Sequence, residues 1–322
     1  MRALFDQKIW PFLKLVRWPN LLVIILTQTL LRHTIYSRIY GHSGLEPAMS
    51  SGLFVALVCI TVLIAAAGYI INDYFDQKAD LVNHPGRVVL GSEIQKEVAI
   101  RYYYIFNAIA LAAGVVLSWM AGAIKLSLIF FMIAGMLWLY SAHYKKTVLW
   151  GNLAVAFMSA MVVMVVWIFE FYMLKRQPGQ FHALYLSGQQ AINHYVSAYA
   201  VFAFLVSLVR EIVKDMEDVD GDREAGYRTL PLAHGLYTAK VIAFIPGLAM
   251  VALAFPAILY FISLSFPVMA LYFAVLVLFP LLFILYRIIL SEEKQQFHRI
   301  STWLKLLMLA GIAGMVPLAA TI

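Results

Sequence analysis

Two short stretches of the chain place acidic side chains at helical spacing. In both, oxygen-bearing side chains recur every three or four residues: Asn72, Asp76 and Asp80 in the first, and Asp215, Asp218 and Asp222 in the second. On an α-helix such spacings put side chains on one face, about one turn apart. Each stretch therefore predicts a stripe of carboxylate and amide oxygens along a helix.

Stacked carboxylates at the end of a membrane helix repel one another and are costly to desolvate. A divalent cation relieves both penalties, and oxygen ligands without nearby His or Cys suit Mg²⁺ or Mn²⁺. Mg²⁺ keeps coordination positions for water or phosphate oxygens. Two such stripes facing each other predict a metal-bridged diphosphate between them. Either stretch alone would also fit a solvated acidic loop, but their matching spacing favours the metal site.

A bound diphosphate also needs cationic donors. Five candidates lie on the same predicted membrane face as the acids: Arg87, Lys145, Lys146, Lys214 and Arg228. Arginine offers a bidentate fork to phosphate and lysine a point charge. The alternative is that these residues only anchor the helix ends at the cytoplasmic surface of the membrane.

Composition indicates which elements position these residues. Of the 322 residues, 63% are hydrophobic and only 13% are charged, and the mean hydropathy is +0.83. The apolar residues form long runs, as expected of bilayer-spanning helices. The net charge of +7 is spread between these runs rather than gathered in one patch, so nucleic acid is not an expected partner.

The apolar runs predict an all-α, polytopic membrane protein with a single domain over residues 1–322. Nine spans are expected, near 19–37, 52–76, 98–121, 124–142, 149–172, 191–215, 238–261, 266–288 and 300–320. With the N-terminus inside and the C-terminus outside, 19 of the 24 Lys and Arg residues fall in inside segments. The acidic stretches follow spans two and six, which predicts two four-helix halves plus a ninth helix, with both stretches facing the cytoplasm. Glu170, near the outer end of span five, is interpreted as interfacial.

The order of residues in the two acidic stretches is specific. The first reads Asn72-Asp-Tyr-Phe-Asp-x-x-x-Asp80 and precedes Asn83-His-Pro-Gly-Arg87; the second reads Lys214-Asp-Met-Glu-Asp-Val-Asp-Gly-Asp222 and precedes Gly226-Tyr-Arg-Thr-Leu-Pro231. Together with Tyr140, Lys145-Lys146 and Gly151-Asn152, they resemble the motifs of the UbiA superfamily of intramembrane prenyltransferases. Within it, the second motif is most similar to the branch that makes digeranylgeranylglyceryl phosphate.

The resemblance implies an Mg²⁺-dependent prenyltransferase of the plasma membrane, with its active site facing the cytoplasm. Asn72, Asp76 and Asp80 would hold one metal ion, and Asp215, Asp218 and Asp222 the other. The diphosphate would contact Arg87, Tyr140, Lys145, Lys214 and Arg228. The donor would be an isoprenyl diphosphate, and the acceptor geranylgeranylglyceryl phosphate in lipid biosynthesis.

Two alternatives stay open at this stage. His84 and Val88 replace an Arg and a Pro that are frequent in the family. The first alternative is therefore an aromatic acceptor, as in quinone or tocopherol synthesis. A cation transporter with acidic ligands is the alternative from another class. Transporter sites usually lie at mid-membrane on broken helices, whereas these acids gather at one predicted membrane face.

Overall fold

The computed structural model describes residues 9–83, 86, 88–187 and 189–322. Within these ranges the regular structure is helical, apart from one isolated bridge between Leu90 and Ile94. The helices are α1 (Trp10–Leu15), α2 (Trp18–Leu30), α3 (Ser37–His42), α4 (Ser51–Phe75), α5 (Gln77–Asn83), α6 (Lys96–Met120), α7 (Ser127–Ala142), α8 (Trp150–Leu174), α9 (Pro178–Ser187), α10 (Gln189–Glu217), α11 (Val219–Glu224), α12 (Leu230–Ser263), α13 (Pro267–Phe273), α14 (Phe279–Leu290), α15 (Lys294–Ala313) and α16 (Met315–Leu318). This confirms the all-α prediction.

Eight helical stretches of the described residues are long and apolar enough to cross a bilayer. They are Ser51–Phe75, Lys96–Met120, Ile124–Ala142, Trp150–Leu174, Gln190–Glu217, Leu230–Ser263, Pro267–Leu290 and Lys294–Leu318. Each matches one of the predicted spans, although two helices begin earlier than predicted: Leu230–Ser263 against 238–261, and Lys294–Leu318 against 300–320. The stretch Leu230–Ser263 contains a kink at Gly235, whose φ of 83° is non-helical.

The first predicted span, 19–37, differs from the other eight in its local structure. Its residues form α2, a π-helical segment Leu31–Tyr36 and α3 in direct succession. None of the three is long enough alone to join the eight. The π segment widens the helix locally, because its hydrogen bonds reach one residue further than in an α-helix. The count of nine spans therefore stays a prediction.

The buried apolar side chains are arranged differently at the two ends of the bundle. At one end a single cluster joins helices from the whole chain and includes Tyr36, Phe54 and Phe261. At the other end there are two smaller clusters, one around Val213 and Leu281 in the second half of the chain and one around residues of α1, α4 and α6. The polar residues considered next lie at this second end, where the apolar core is divided.

Candidate active site

The first acidic motif lies where α4 ends. Asp76 is the C-cap of α4 and is fully buried, and the chain then continues into the short helix α5. One turn earlier, Asn72 is also buried, and its Oδ1 atom accepts no hydrogen bond within the described part of the chain. A buried acceptor without a donor is costly, so this oxygen is suited to a ligand.

Lys145 is the principal cation of the site. It lies in the 3₁₀ turn Tyr144–Lys146 between α7 and α8, and its ammonium group forms an ion pair with Asp76 Oδ2. Burial acts to lower the pKa of Lys145, but Asp76, Tyr140 and Asp80 outweigh it and hold the pKa well above its usual value. Lys145 is therefore a fixed positive charge among the acids.

The second motif begins at the end of α10 and continues into α11. Asp215 accepts a hydrogen bond from Asn152 Nδ2 of α8 at 2.8 Å. Asp222 lies on α11 and is 4% exposed. Burial raises the pKa of Asp222 to about 7; Lys145 opposes this rise, and Asp218 adds to it. Burial and then Asp76 also raise the pKa of Asp80. Asp76 of the first motif also raises the pKa of Asp222, so carboxylates of the two motifs lie near each other.

The structure brings the two motifs together, since α5 packs against α11. The Asn83 side chain at the end of α5 bonds to the backbone of Asp218 and Gly221. After α11, the Tyr227 hydroxyl donates to Asp76 Oδ1 at 3.4 Å. Burial and then Asp76 raise the pKa of Tyr227 to about 12, so the phenol remains a hydrogen-bond donor at neutral pH.

The cations predicted to bind diphosphate have different surroundings. Tyr140 interacts electrostatically with Lys145, Asp76 and Asp215, which places it at the same site. Lys214 Nζ lies 3.8 Å from the Glu211 carboxylate on α10. Arg228 is exposed, and its backbone N–H donates to the Lys146 carbonyl oxygen at 3.0 Å. Arg87 lies outside the described residues.

Asp73, beside the first stripe, has a separate role. Its carboxylate pairs with the Arg17 guanidinium at 2.7 Å. Arg17 adopts a left-handed φ of 51° directly before α2, and its guanidinium lies 5.2 Å from the ring centroid of Tyr69. The pair therefore fixes the start of α2 against the end of α4 and closes one side of the site.

The donor chemistry fits magnesium completed by a substrate. No three His, Cys, Asp or Glu side chains of the described residues converge closely enough to hold a metal ion by themselves. Mg²⁺ characteristically binds one or two protein carboxylates together with water and substrate phosphates. Asp76, Asp222 and the unpartnered Asn72 oxygen provide such an incomplete set of oxygen ligands, with Lys145 beside it for phosphate.

Three residues of the site were not assigned from the sequence: Asn83, Asn152 and Tyr227. All three occur inside the quoted motifs, so a signal was present. Their roles depend on partners in distant segments, as with Asn152 and Asp215 on α8 and α10. Spacing along one helix does not reveal such pairs.

Residues 39–309 match the UbiA prenyltransferase family, and the chain belongs to that family. It is 32% identical over 283 residues to a digeranylgeranylglyceryl phosphate synthase of Hyperthermus butylicus, covering 85% of this chain and 84% of that one. A solved digeranylgeranylglyceryl phosphate synthase has a TM-score of 0.58 at 23% identity, covering 96% of this chain and 99% of that one.

A second solved structure shares the fold. A UbiA homologue from Archaeoglobus fulgidus bound to DMAPP and Mg²⁺ has a TM-score of 0.54 at 18% identity, covering 94% of this chain and 98% of that one. Family membership and the eight apolar helices together define a multi-pass membrane prenyltransferase.

Proposed function

We propose that the protein transfers a geranylgeranyl group from geranylgeranyl diphosphate to geranylgeranylglyceryl phosphate, in the synthesis of ether lipids. The observation that carries this proposal is the convergence of both acidic motifs on Lys145. The printed name of the Hyperthermus butylicus relative supports this acceptor, and the DMAPP and Mg²⁺ of the Archaeoglobus homologue support an allylic diphosphate donor.

The metal assignment follows the two stripes. Asn72, Asp76 and Asp80 would hold one Mg²⁺ ion and Asp215, Asp218 and Asp222 a second, with Mn²⁺ as a substitute. Bound there, Mg²⁺ would neutralise charge on the departing diphosphate, which is the electrostatic contribution that such centres usually make.

The chain's own residues bind and orient the substrates. Lys145, held in place by Asp76, would also donate to the diphosphate oxygens, and Tyr140 would donate a hydrogen bond to them. Lys214, Arg228 and Arg87 would add positive charge around the same group. Electrostatic donors that are already fixed in place need little reorganisation when the allylic C–O bond breaks.

The proposed reaction exchanges one C–O bond for another. The allylic C–O bond breaks, and its electron pair leaves with the diphosphate. The glycerol hydroxyl of the acceptor attacks the allylic carbon, and its proton passes to a motif carboxylate or to the diphosphate. Apolar side chains around the site would hold the prenyl tail and keep out water, which would otherwise capture the allylic cation.

The proposal includes an orientation of the chain in the membrane. Nine spans, with the α2–α3 segment as the first, would place the N-terminus inside and the C-terminus outside. Both motifs would then face the cytoplasm from the plasma membrane, where soluble diphosphate donors are available. The positive-inside distribution of Lys and Arg supports this orientation.

The test is a product assay with purified protein in lipid nanodiscs. Geranyl, farnesyl and geranylgeranyl diphosphate are each offered with Mg²⁺ and either geranylgeranylglyceryl phosphate or aromatic acids and quinol precursors. Mass spectrometry should detect digeranylgeranylglyceryl phosphate, and the Asp76→Ala and Asp218→Ala proteins should form none. If only a prenylated aromatic product formed, the assignment of the acceptor would be overturned. Cation flux without diphosphate release would overturn the assignment as an enzyme.

A further inference from the structure

We propose that Asn83, which lies shortly after the first acidic motif, is a positioning residue. Its side chain caps α11, the helix that carries the end of the second motif. The proposal rests on the function above, in which both motifs bind one metal-diphosphate group. Its geometric basis lies in the contacts of a single side chain with two other segments. Neither the metal ligands nor the diphosphate ligands proposed above include Asn83.

The amide of Asn83 uses both of its polar atoms. Its Nδ2 donates to the Asp218 carbonyl oxygen at 3.0 Å, and its Oδ1 accepts from the Gly221 backbone N–H at 3.0 Å. Asn83 is 9% exposed. Two well-formed hydrogen bonds from one buried amide fix the direction of α11 relative to α5.

These bonds replace the usual cap of a helix. The first N–H groups of an α-helix lack partners within the helix, and an Asp at the N-cap usually accepts one of them with its own carboxylate. Asp218 is the N-cap of α11, yet its side chain makes no capping hydrogen bond. Asn83 satisfies the Gly221 N–H instead, so capping does not occupy the Asp218 carboxylate.

Gly221 is required for this close approach. A Cβ atom at position 221 would lie 2.6 Å from the Ala79 carbonyl oxygen and would also overlap the Asn83 side chain. Backbone cannot yield as a flexible side-chain end can. The glycine in the second motif is therefore explained by the contact with α5, and Gly221→Ala should disturb the same interface from the opposite side.

A third element meets the same amide. Lys294, at the start of α15, places Nζ 3.2 Å from Asn83 Oδ1 and 3.5 Å from its backbone oxygen. One turn further along α15, His298 Nδ1 lies 2.7 Å from Glu217 Oε1 at the end of α10. Asn83 is thus the point at which α5, α11 and α15 meet.

The expected effect is on metal affinity rather than on the chemical step. Groups that orient metal ligands typically contribute about 10- to 100-fold to metal affinity when removed. Asn83→Ala should raise the Mg²⁺ concentration for half-maximal activity by about 10- to 100-fold, with kcat largely restored at saturating Mg²⁺. Asn83→Asp keeps an acceptor for the Gly221 N–H but loses the donor to Asp218, so a smaller shift is expected.

The kinetic experiment measures Mg²⁺ activation of geranylgeranyl transfer by full-length protein in nanodiscs. Asn107→Ala is the matched control, because among the described residues Asn107 Nδ2 bonds to the Tyr103 carbonyl oxygen of its own helix, α6. An unchanged Mg²⁺ dependence of Asn83→Ala, whatever its melting temperature, would overturn the proposal. If the Asn83→Ala protein does not fold, the Mg²⁺ dependence of the Asn83→Asp protein is measured instead, and an unchanged dependence would again overturn the proposal.

Hydrogen exchange provides a second readout that needs no activity. The Gly221 amide should exchange about tenfold faster in Asn83→Ala than in wild type, because its acceptor is gone. Unchanged exchange across 219–224 would overturn the capping role. If wild type showed no Mg²⁺-dependent transfer, the proposed function would fail, and the exchange result would still decide on the cap.

Discussion

The Lys145 ammonium group forms an ion pair with Asp76, whose side chain is only 1% exposed. The two residues come from the loop between α7 and α8 and from the end of α4. Removing one partner of a buried pair leaves the other charge uncompensated, which is far more costly than losing a surface pair. The pair therefore couples the first acidic motif to the loop that would contact the diphosphate.

Replacing Lys145 tests this coupling. Lys145→Met should lower kcat/KM for the diphosphate donor by about 10²- to 10³-fold, as expected when one fixed electrostatic donor is removed. Steady-state kinetics against donor concentration measure the effect. Lys146→Met is the control, because Lys146 lies over the rings of Phe75 and Tyr227 without an acidic partner among the described ion pairs. Equal losses in both variants would contradict the special role of Lys145.

Asn152 provides a test of the second motif. Its Nδ2 holds Asp215 at 2.8 Å, so Asn152→Ala should weaken Mg²⁺ activation by about 10- to 100-fold. Asn193→Ala is a matched control, because Asn193 accepts from Trp167 Nε1 in the N-terminal part of α10, away from the acids. Titration of activity with Mg²⁺ distinguishes the two variants, and a wild-type titration curve for Asn152→Ala would argue against a positioning role.

Removal and return of the metal should be reversible. EDTA should abolish transfer, and excess Mg²⁺ should restore it. Mg²⁺ with inorganic pyrophosphate should also stabilise the protein, by about 2.7 kcal/mol at a hundredfold excess over Kd. Thermal unfolding in detergent measures this stabilisation, and Asp218→Ala should not show it. Equal stabilisation by pyrophosphate without any divalent ion would contradict a metal-bridged site.

Proton competition should weaken metal binding on the acidic side of neutrality. Burial raises the pKa of Asp222 to about 7, so its carboxylate is charged above that pH and neutral below it. Metal binding requires the charged form. The apparent Mg²⁺ affinity should therefore fall as the pH decreases through about 7, by up to about tenfold per unit for one proton. The Asp222→Asn protein should bind Mg²⁺ much more weakly than wild type, and its Mg²⁺ affinity should no longer show this dependence on pH.

The opposite end of the bundle offers a prediction for stability alone. Glu170 is 1% exposed and accepts the backbone N–H of Ala48 and of Met49, while Arg32 donates to the Met49 carbonyl oxygen at 2.6 Å. Glu170→Ala should destabilise the protein by about 3 kcal/mol, because it breaks a buried charged network. Mg²⁺ activation should not change. The exposed Glu46 of the same loop is the control for the melting temperature.

Local patterns predicted much of this architecture. Runs of apolar residues located eight of the helices, since bilayer-spanning helices must be continuous and apolar. The three- and four-residue spacing predicted each acidic stripe along one helix, but the structure divides the first stripe between α4 and α5 and the second between α10 and α11. The interpretation of Glu170 as interfacial stays a prediction. Its burial and its partners in the loop before α4 were not predicted, because hydropathy does not detect a carboxylate that is paired across the fold.

Longer-range relationships were beyond those patterns. The hydrogen bond from Asn83 to Asp218 joins residues separated by 135 positions, and no periodicity along one helix encodes it. The π segment Leu31–Tyr36 likewise interrupts a run that reads as one uniform apolar span. In both cases packing against distant segments decides the local geometry.

The meeting of α5, α11 and α15 at Asn83 also sets an order of events during translation. The ribosome delivers Asp76 early, Asp218 much later and Lys294 later still. A nascent chain halted between α4 and α10 would carry only one of the two acidic motifs. The contacts around Asn83 are therefore complete only when the segment bearing Lys294 has left the ribosome and packed against the earlier helices.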